Sequence, residues 1–219
     1  MPATPQRQRR KDARPQELLE AALQLFVEKG FAATRSEEVA SRAGVSKGTL
    51  YLYFPSKEEL LKAVIRHTLS ADIAQGRETL MNHRGSATEA LVDLLTAWWE
   101  AVFDSPSSGV FKLIMNEARN YPEIAEFYAH EVIEPGSEVI GLLLERGMAS
   151  GEFRRMDVAC TVHCIVMPMI MLCVHKHSLG ACPNIEPMLA NPRQLIRQHM
   201  DLLLNGLRPL PAPAPESPR

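Results

Sequence analysis

Cysteine is scarce in this chain, and so are long uninterrupted apolar runs. Its 219 residues hold four cysteines. That is too few for a disulfide scaffold at this length, and their spacing matches no zinc-finger pattern. No apolar segment follows the polar, basic residues 1–14, so no secretory signal is expected. The longest uncharged apolar stretch, Val158 to Val174, contains Thr161, His163 and Pro168. A membrane-spanning helix needs about 20 mostly apolar residues, so this stretch reads as a buried helix and no membrane partner is expected. No segment alternates as a strand does, and there is no internal repeat. What remains is an ordinary globular composition, 46% hydrophobic and 23% charged, which excludes collagen-like, low-complexity and wholly disordered chains. The length makes one large domain or two small ones, able to bury a core without staples. A cytoplasmic protein with reduced thiols is the expectation.

The formal net charge of −2 conceals an asymmetry. Residues 1–57 carry ten Lys and Arg against six Asp and Glu, a sum of +4. Residues 58–219 carry fourteen against twenty, a sum of −6. A basic front on an acidic back fits a nucleic-acid-binding head on a different kind of body. It equally fits a basic solvated tail, because Arg7, Arg9, Arg10, Lys11 and Arg14 supply half of the positive charge in the front.

Apolar periodicity of 3.6 predicts an all-α protein of about nine helices. Residues 1–14 are expected to be a disordered basic tail, and 209–219 a disordered Pro-rich tail. Helix 1 is predicted from Pro15, with Leu18, Ala22, Leu25 and Phe26 on one face and Gly30 past its end. Thr34-Arg-Ser-Glu37 has the form of a capping box for helix 2, about 36–43. Ser46 caps helix 3, which Pro55 ends. Ser56-Lys-Glu-Glu59 opens helix 4, running to about Leu80. Later helices are expected at 88–103, 110–120, 122–148 with an irregularity at Pro135-Gly136, 157–177 with a kink at Pro168, and 192–207. Residues 15–80 thus form a first domain and 81–208 a second.

The segment Ser36–Pro55, SEEVASRAGVSKGTLYLYFP, places two short helices around a turn at Gly44-Val45. Glycine there accepts positive φ without steric cost, and Ala40 lets the helices cross closely. Val45, Leu50 and Phe54 give the second helix an inward apolar face. That is a helix-turn-helix, whose second helix can enter a DNA major groove. Lys47, Gly48, Tyr51 and Leu52 then point outward, with Thr49 and Tyr53 on the flank.

Residues Leu18–Leu80 resemble the N-terminal domain of the TetR family of transcriptional regulators. The matching residues are Ala21–Gly30, Thr34, Val39–Tyr51 and Tyr53–Leu61, in order and spacing. The resemblance implies a homodimer on a palindromic operator. It implies phosphate contacts from Thr34, Arg35, Ser46, Thr49, Tyr51, Tyr53 and Lys57, and base contacts from Lys47, Gly48 and Leu52. Leu52 departs from the polar residues often found at its position, so an apolar contact with a thymine methyl is expected there. Residues 88–207 match the family in layout only. That layout implies a cavity for a small effector, a dimer interface through helices 8 and 9, and no cofactor.

In the second domain, Cys160, Cys164, Met167, Met171 and His175 fall on one helical stripe. Two readings fit it: core or cavity packing, or a thiophilic metal site that would make the protein a metal-sensing regulator. Trp98, Trp99, Phe103, Phe111, Met115, Phe127, Tyr128, His163, Met167 and His175 are candidates to line an effector site for an apolar or amphipathic molecule. A thiol enzyme built on Cys160 and His163 lacks an oxyanion loop and an orienting carboxylate beyond Asp157. The sequence therefore reads as a ligand-responsive DNA-binding repressor and not an enzyme.

Overall fold

The computed structural model describes residues 5–180 and 191–208. Among them are nine helical rods and no strands. They are α1 (Pro5–Lys29), α2 (Ser36–Arg42), α3 (Lys47–Tyr53), α4 (57–82), α5 (87–104), α6 (Ser108–Glu117), α7 (122–150), α8 (Val158–Ser178) and α9 (Pro192–Leu207). The fold class is the one the periodicity predicts. The 209–219 tail and most of the 178–191 loop lie outside the described residues.

Of the tail expected at 1–14, residues 1–4 lie outside the described residues, and residues 5–14 are helical. From Pro5 onward these residues are the first turns of α1, which continues through Pro15. Gln6 to Lys11 are unbranched residues that lose little freedom in a helix. Pro15 withholds a single hydrogen bond, from the carbonyl of Lys11.

Three of the rods change pitch along their length. In α4 the segments Lys57–Ile65 and Ala71–Asn82 are joined by a π-helical turn, Arg66–Ser70. In α5 a π turn at Ala90–Leu94 precedes Leu95–Asp104. In α7 it lies at Ala129–Ile133, ahead of Glu134–Ser150. The irregularity expected at Pro135-Gly136 therefore falls one turn earlier. Pro135 cannot donate to the carbonyl of Glu131, and the widened turn absorbs that lost bond.

α1 packs on α2 and α4, burying Leu18, Ala22, Leu25 and Phe26 against Val39, Leu50, Leu60 and Leu61. These residues belong to a core continuous with the second half. The seam between the halves is close. A Cβ on Gly109, in the first turn of α6, would lie 2.5 Å from Cγ2 of Val27. The Phe31 ring meets Tyr121 edge-on at 5.0 Å. α4 is tied to α7 by Arg66–Glu131 (2.9 Å) and Arg77–Glu138 (2.7 Å). α8 packs on α6, and Lys112 Nζ donates to the His177 carbonyl at 2.6 Å.

Candidate functional site

The turn between α2 and α3 is built as its sequence requires. Gly44 takes φ +66°, a conformation that a side chain would strain. The Val45 N–H donates to the Ala40 carbonyl at 2.9 Å, drawing the two helices together over that small residue. Ser46 Oγ accepts from the Thr49 N–H at 3.1 Å and caps α3. Leu50 is fully buried, and Val45 and Phe54 pack beside it. The opposite face of α3 is open. Ser46, Lys47, Gly48, Tyr51 and Leu52 are exposed, and Thr49 and Tyr53 are half-buried. Leu52 is 80% exposed. Lys47 pairs with Glu37 on α2, and this bond holds the Glu37 carboxyl below its ordinary range. The Tyr51 hydroxyl donates to Ser36 Oγ at 3.1 Å. Arg35 is exposed at the start of α2.

Two residues assigned to phosphates by resemblance have their side chains occupied inside the head. Thr34 is 1% exposed, and its hydroxyl reaches the carbonyls of Gly30 (2.7 Å) and Leu25 (3.2 Å). It turns back to close the end of α1, so it does not cap α2. Arg35 takes the cap position, its N–H donating to Glu38 Oε2 at 3.2 Å. Lys57 Nζ donates to the carbonyls of Phe31 (2.8 Å), Ala32 (3.2 Å) and Thr34 (3.2 Å). It also lies 4.5 Å over the Phe31 ring. All three of its donors are taken, so it ties the start of α4 to the loop after α1.

The second half encloses a cavity of about 410 Å³, bounded by α4, α5, α6, α7 and α8. Of the effector-site candidates, Trp98, Trp99, Phe111, Met115, Tyr128, His163 and Met167 line it. Phe103, Phe127 and His175 do not. Phe103 is buried beside Lys176, and Phe127 lies under Arg66 and Lys62 of α4. The sequence reading missed Asp72, Ile73, Gly76 and Leu80 of α4, and Val132, Gly136, Ser137 and Ile140 of α7. Few polar groups reach the wall. Burial holds the Asp72 carboxyl above its ordinary range, against the pull of His67. Burial likewise raises the Tyr128 phenol. The indole N–H groups of Trp98 and Trp99 are buried without a hydrogen-bond partner.

The soft-ligand stripe lies along the outside of α8. Cys160, Cys164, Met167 and Met171 are exposed, and His175 is half-buried. Helical rise spreads Cys160 to His175 over about 22 Å, too far to converge on one ion. Among the described residues no three His, Cys, Asp or Glu side chains gather closely enough to hold a metal. Among the described residues of a single copy, the metal-sensing alternative therefore finds no such cluster. His163 places Nδ1 on the Ala159 carbonyl at 2.8 Å. Cys173 faces the core, where burial pushes its thiol up to about 12.

A helix-turn-helix head joined by one helix to a cavity-bearing helical body defines a class of DNA-binding regulator. Family models agree with it. Bacterial regulatory proteins of the tetR family match residues 18–64, and the tetracyclin repressor-like C-terminal domain matches 81–179. The HTH-type transcriptional repressor KstR2 of Rhodococcus jostii (strain RHA1) is 32% identical over 199 residues. That alignment covers 90% of this chain and 92% of the relative. Among solved structures, the fatty acid degradation regulator FadR from Bacillus halodurans aligns with a TM-score of 0.74 at 20% identity. It covers 95% of this chain and 99% of that one. FadR from Bacillus subtilis, in complex with stearoyl-CoA, aligns with a TM-score of 0.71 at 19% identity, over 88% of this chain and 99% of that one. The chain belongs to the TetR family, and it is a ligand-responsive DNA-binding transcriptional regulator.

Proposed function

We propose that the chain is a cytoplasmic, homodimeric repressor that leaves a palindromic operator when an apolar or amphipathic effector enters the cavity of its second domain. The observation that carries this reading is the double role of α4. Its first segment is buried in the head through Leu60, Leu61, Val64 and Ile65, while Asp72, Ile73, Gly76 and Leu80 line the cavity. An effector pressing on the second segment bears on the same rod that positions α3. Effector binding must favour the state that fits DNA poorly, or no release follows.

In the operator complex two copies of α3 occupy successive major grooves, about 34–36 Å apart. Arg35, Ser46, Thr49, Tyr51 and Tyr53 contact phosphates, while Lys47, Gly48 and Leu52 approach bases. Lys47 exchanges Glu37 for DNA, and Leu52 favours a thymine methyl at one position of each half-site. Thr34 and Lys57 hold the head in shape. The two subunits pack through α8 and α9, whose outer faces are apolar in part. The effector has an apolar body suited to a wall of Trp, Phe, Met and aliphatic side chains. The stearoyl-CoA of the B. subtilis FadR structure is a ligand of that kind in a protein of the same fold.

Selection of bound duplexes from a random DNA pool, at stated salt, tests the reading. A palindrome with thymine enriched at one fixed step of each half-site is expected, and long-chain acyl compounds should then release it. Recovery of salt-sensitive binding without sequence preference would remove the operator reading.

A further inference from the structure

We propose that the effector carries a positive charge, a protonated amine or quaternary ammonium on its apolar body, and that Asp72 of α4 is the counter-ion that selects it. This rests on the cavity reading above and deepens it by naming the polar end of the ligand. Asp72 is the single carboxylate among the described residues that line the cavity, and no Lys or Arg joins it there. The basic residues that flank it on α4 are engaged elsewhere. Arg66 and Arg77 are exposed, and they pair with Glu131 and Glu138 of α7. Among the described residues no hydrogen bond or ion pair reaches the Asp72 carboxyl, and burial raises it against the pull of His67. A half-buried carboxylate without a bound cation gains from a ligand that brings one.

The rest of the wall agrees in sign. Trp98, Trp99, Phe111 and Tyr128 line the same cavity, and the Trp98 and Trp99 rings meet edge-on at 4.6 Å. Aromatic faces carry negative potential and attract cations, more strongly where water is excluded. His163, also in the lining, places Nδ1 on the Ala159 carbonyl. A carbonyl only accepts, so that nitrogen carries the proton, and Nε2 of the neutral ring offers a lone pair. A free carboxylate or phosphate inside this wall would meet Asp72 and ring faces, with no cation among the described lining residues to receive it. A long-chain acyl compound therefore enters when its polar end is cationic, as in a choline ester, and a free fatty acid is kept out.

The competing state is a protonated Asp72, which would donate to a neutral ester or ketone. The two states ask different things of the ligand: a charge in one, only a lone pair in the other. A choline ester and its carbon isostere, in which a quaternary carbon replaces the nitrogen, share shape and ester group and differ in charge alone.

Trp98 and Trp99 are the only tryptophans in the chain, and both line the cavity, so their fluorescence reports entry. The full chain is titrated with decanoylcholine, its carbon isostere and decanoate. Wild-type protein is expected to bind the choline ester about tenfold more tightly than the isostere, and decanoate most weakly of the three. Asp72→Asn should abolish the preference for the choline ester while leaving the affinity for the isostere unchanged. Equal binding of ester and isostere by wild-type protein overturns the inference and leaves the cavity reading intact. So does tighter binding of decanoate, or a preference that survives in Asp72→Asn. Absence of a tryptophan response to all three ligands removes the cavity reading itself. Should Asp72→Asn fail to fold by circular dichroism, Gly76→Lys decides the matter. Gly76 stands one turn from Asp72 at the cavity wall, and a Cβ there meets nothing within 4 Å. A lysine at that spacing pairs with the carboxylate and takes the place of the ligand's cation. Loss of the preference for the choline ester is the expected result, and an unchanged preference overturns the inference.

Discussion

In the reading head, polar side chains finish the backbone. Thr34, Ser46, Ser56 and Lys57 each close the end of a helix or the loop between two of them. In the body, polar groups beside the cavity are left open. Trp98 and Trp99 hold unpartnered N–H groups, and Asp72 carries the cost of burial without a cation bound to it. The head is a rigid object that must present one surface to a fixed lattice of phosphates. The body must accept a molecule that is not always present, and a fully satisfied, fully packed wall would have no room for it.

The largest test of that contrast lies in packing. Leu50→Ala, at a fully buried site in the head, is expected to cost about 3 kcal/mol of stability and to abolish DNA binding. Met115→Ala, half exposed at the cavity rim, should cost less than about 1 kcal/mol. Urea titration of both variants, followed by circular dichroism, compares them directly.

The two lysines beside the helix-turn-helix sharpen it further. Lys57→Ala strips the donors from three carbonyls and should lower stability by about 1–2 kcal/mol. Lys47→Ala should leave melting unchanged, because its pair with Glu37 is exposed. It should instead weaken operator binding by about 1–3 kcal/mol and relax the sequence preference at the base pair it reads. The opposite pattern would exchange their structural and DNA-contacting roles.

The body also holds a group sensitive to acid. His177 Nε2 lies 2.8 Å from Ser108 Oγ, and burial, with Lys176 and Lys112 nearby, pushes the imidazole down to about 4. The unfolded chain takes up this proton near pH 6.5, and the folded one resists it until about pH 4. Stability is therefore full above pH 6.5 and falls as pH drops toward 4. After allowance for partial exposure the loss is about 1 kcal/mol. His177→Gln keeps a polar partner for Ser108 and removes the titration, so its melting temperature should vary less across that window.

The smallest effect expected concerns space. Gly76 lies on α4 at the cavity wall, and a Cβ there would meet nothing within 4 Å. Gly76→Ala should stabilise the protein by about 0.5–1 kcal/mol through helix propensity. A loss of stability would show that the wall is tighter than the empty space around this residue indicates.

The head was legible in the sequence because its signals are local. Gly44, Ser46, Pro55 and Ser56 act on neighbours a few residues away, and the helix ends fall where those residues place them. The inward bonds of Thr34 and Lys57 were not legible because partners of each are remote in the chain, nine residues back for Leu25 and twenty-six for Phe31. The cavity was half legible. Aromatic and Met positions on α5, α6 and α8 announced themselves by composition. The α4 and α7 contributions did not, because each lies in or after a π turn that shifts the face a plain 3.6 period would assign. Ile73, Val132 and Ile140 look like ordinary core residues until the rods are placed side by side.

The contact at Gly109 bears on how far the two halves can be treated as separate parts. Val27 rests where a methyl group on Gly109 would not fit, and Phe31 meets Tyr121 of the body edge-on. Cutting the chain near residue 80 would bare Val27, Phe31 and Leu69 to water. The boundary between head and body divides labour without dividing the folding unit. Calorimetry of the intact chain should show one cooperative melting transition, and an isolated head should melt well below it.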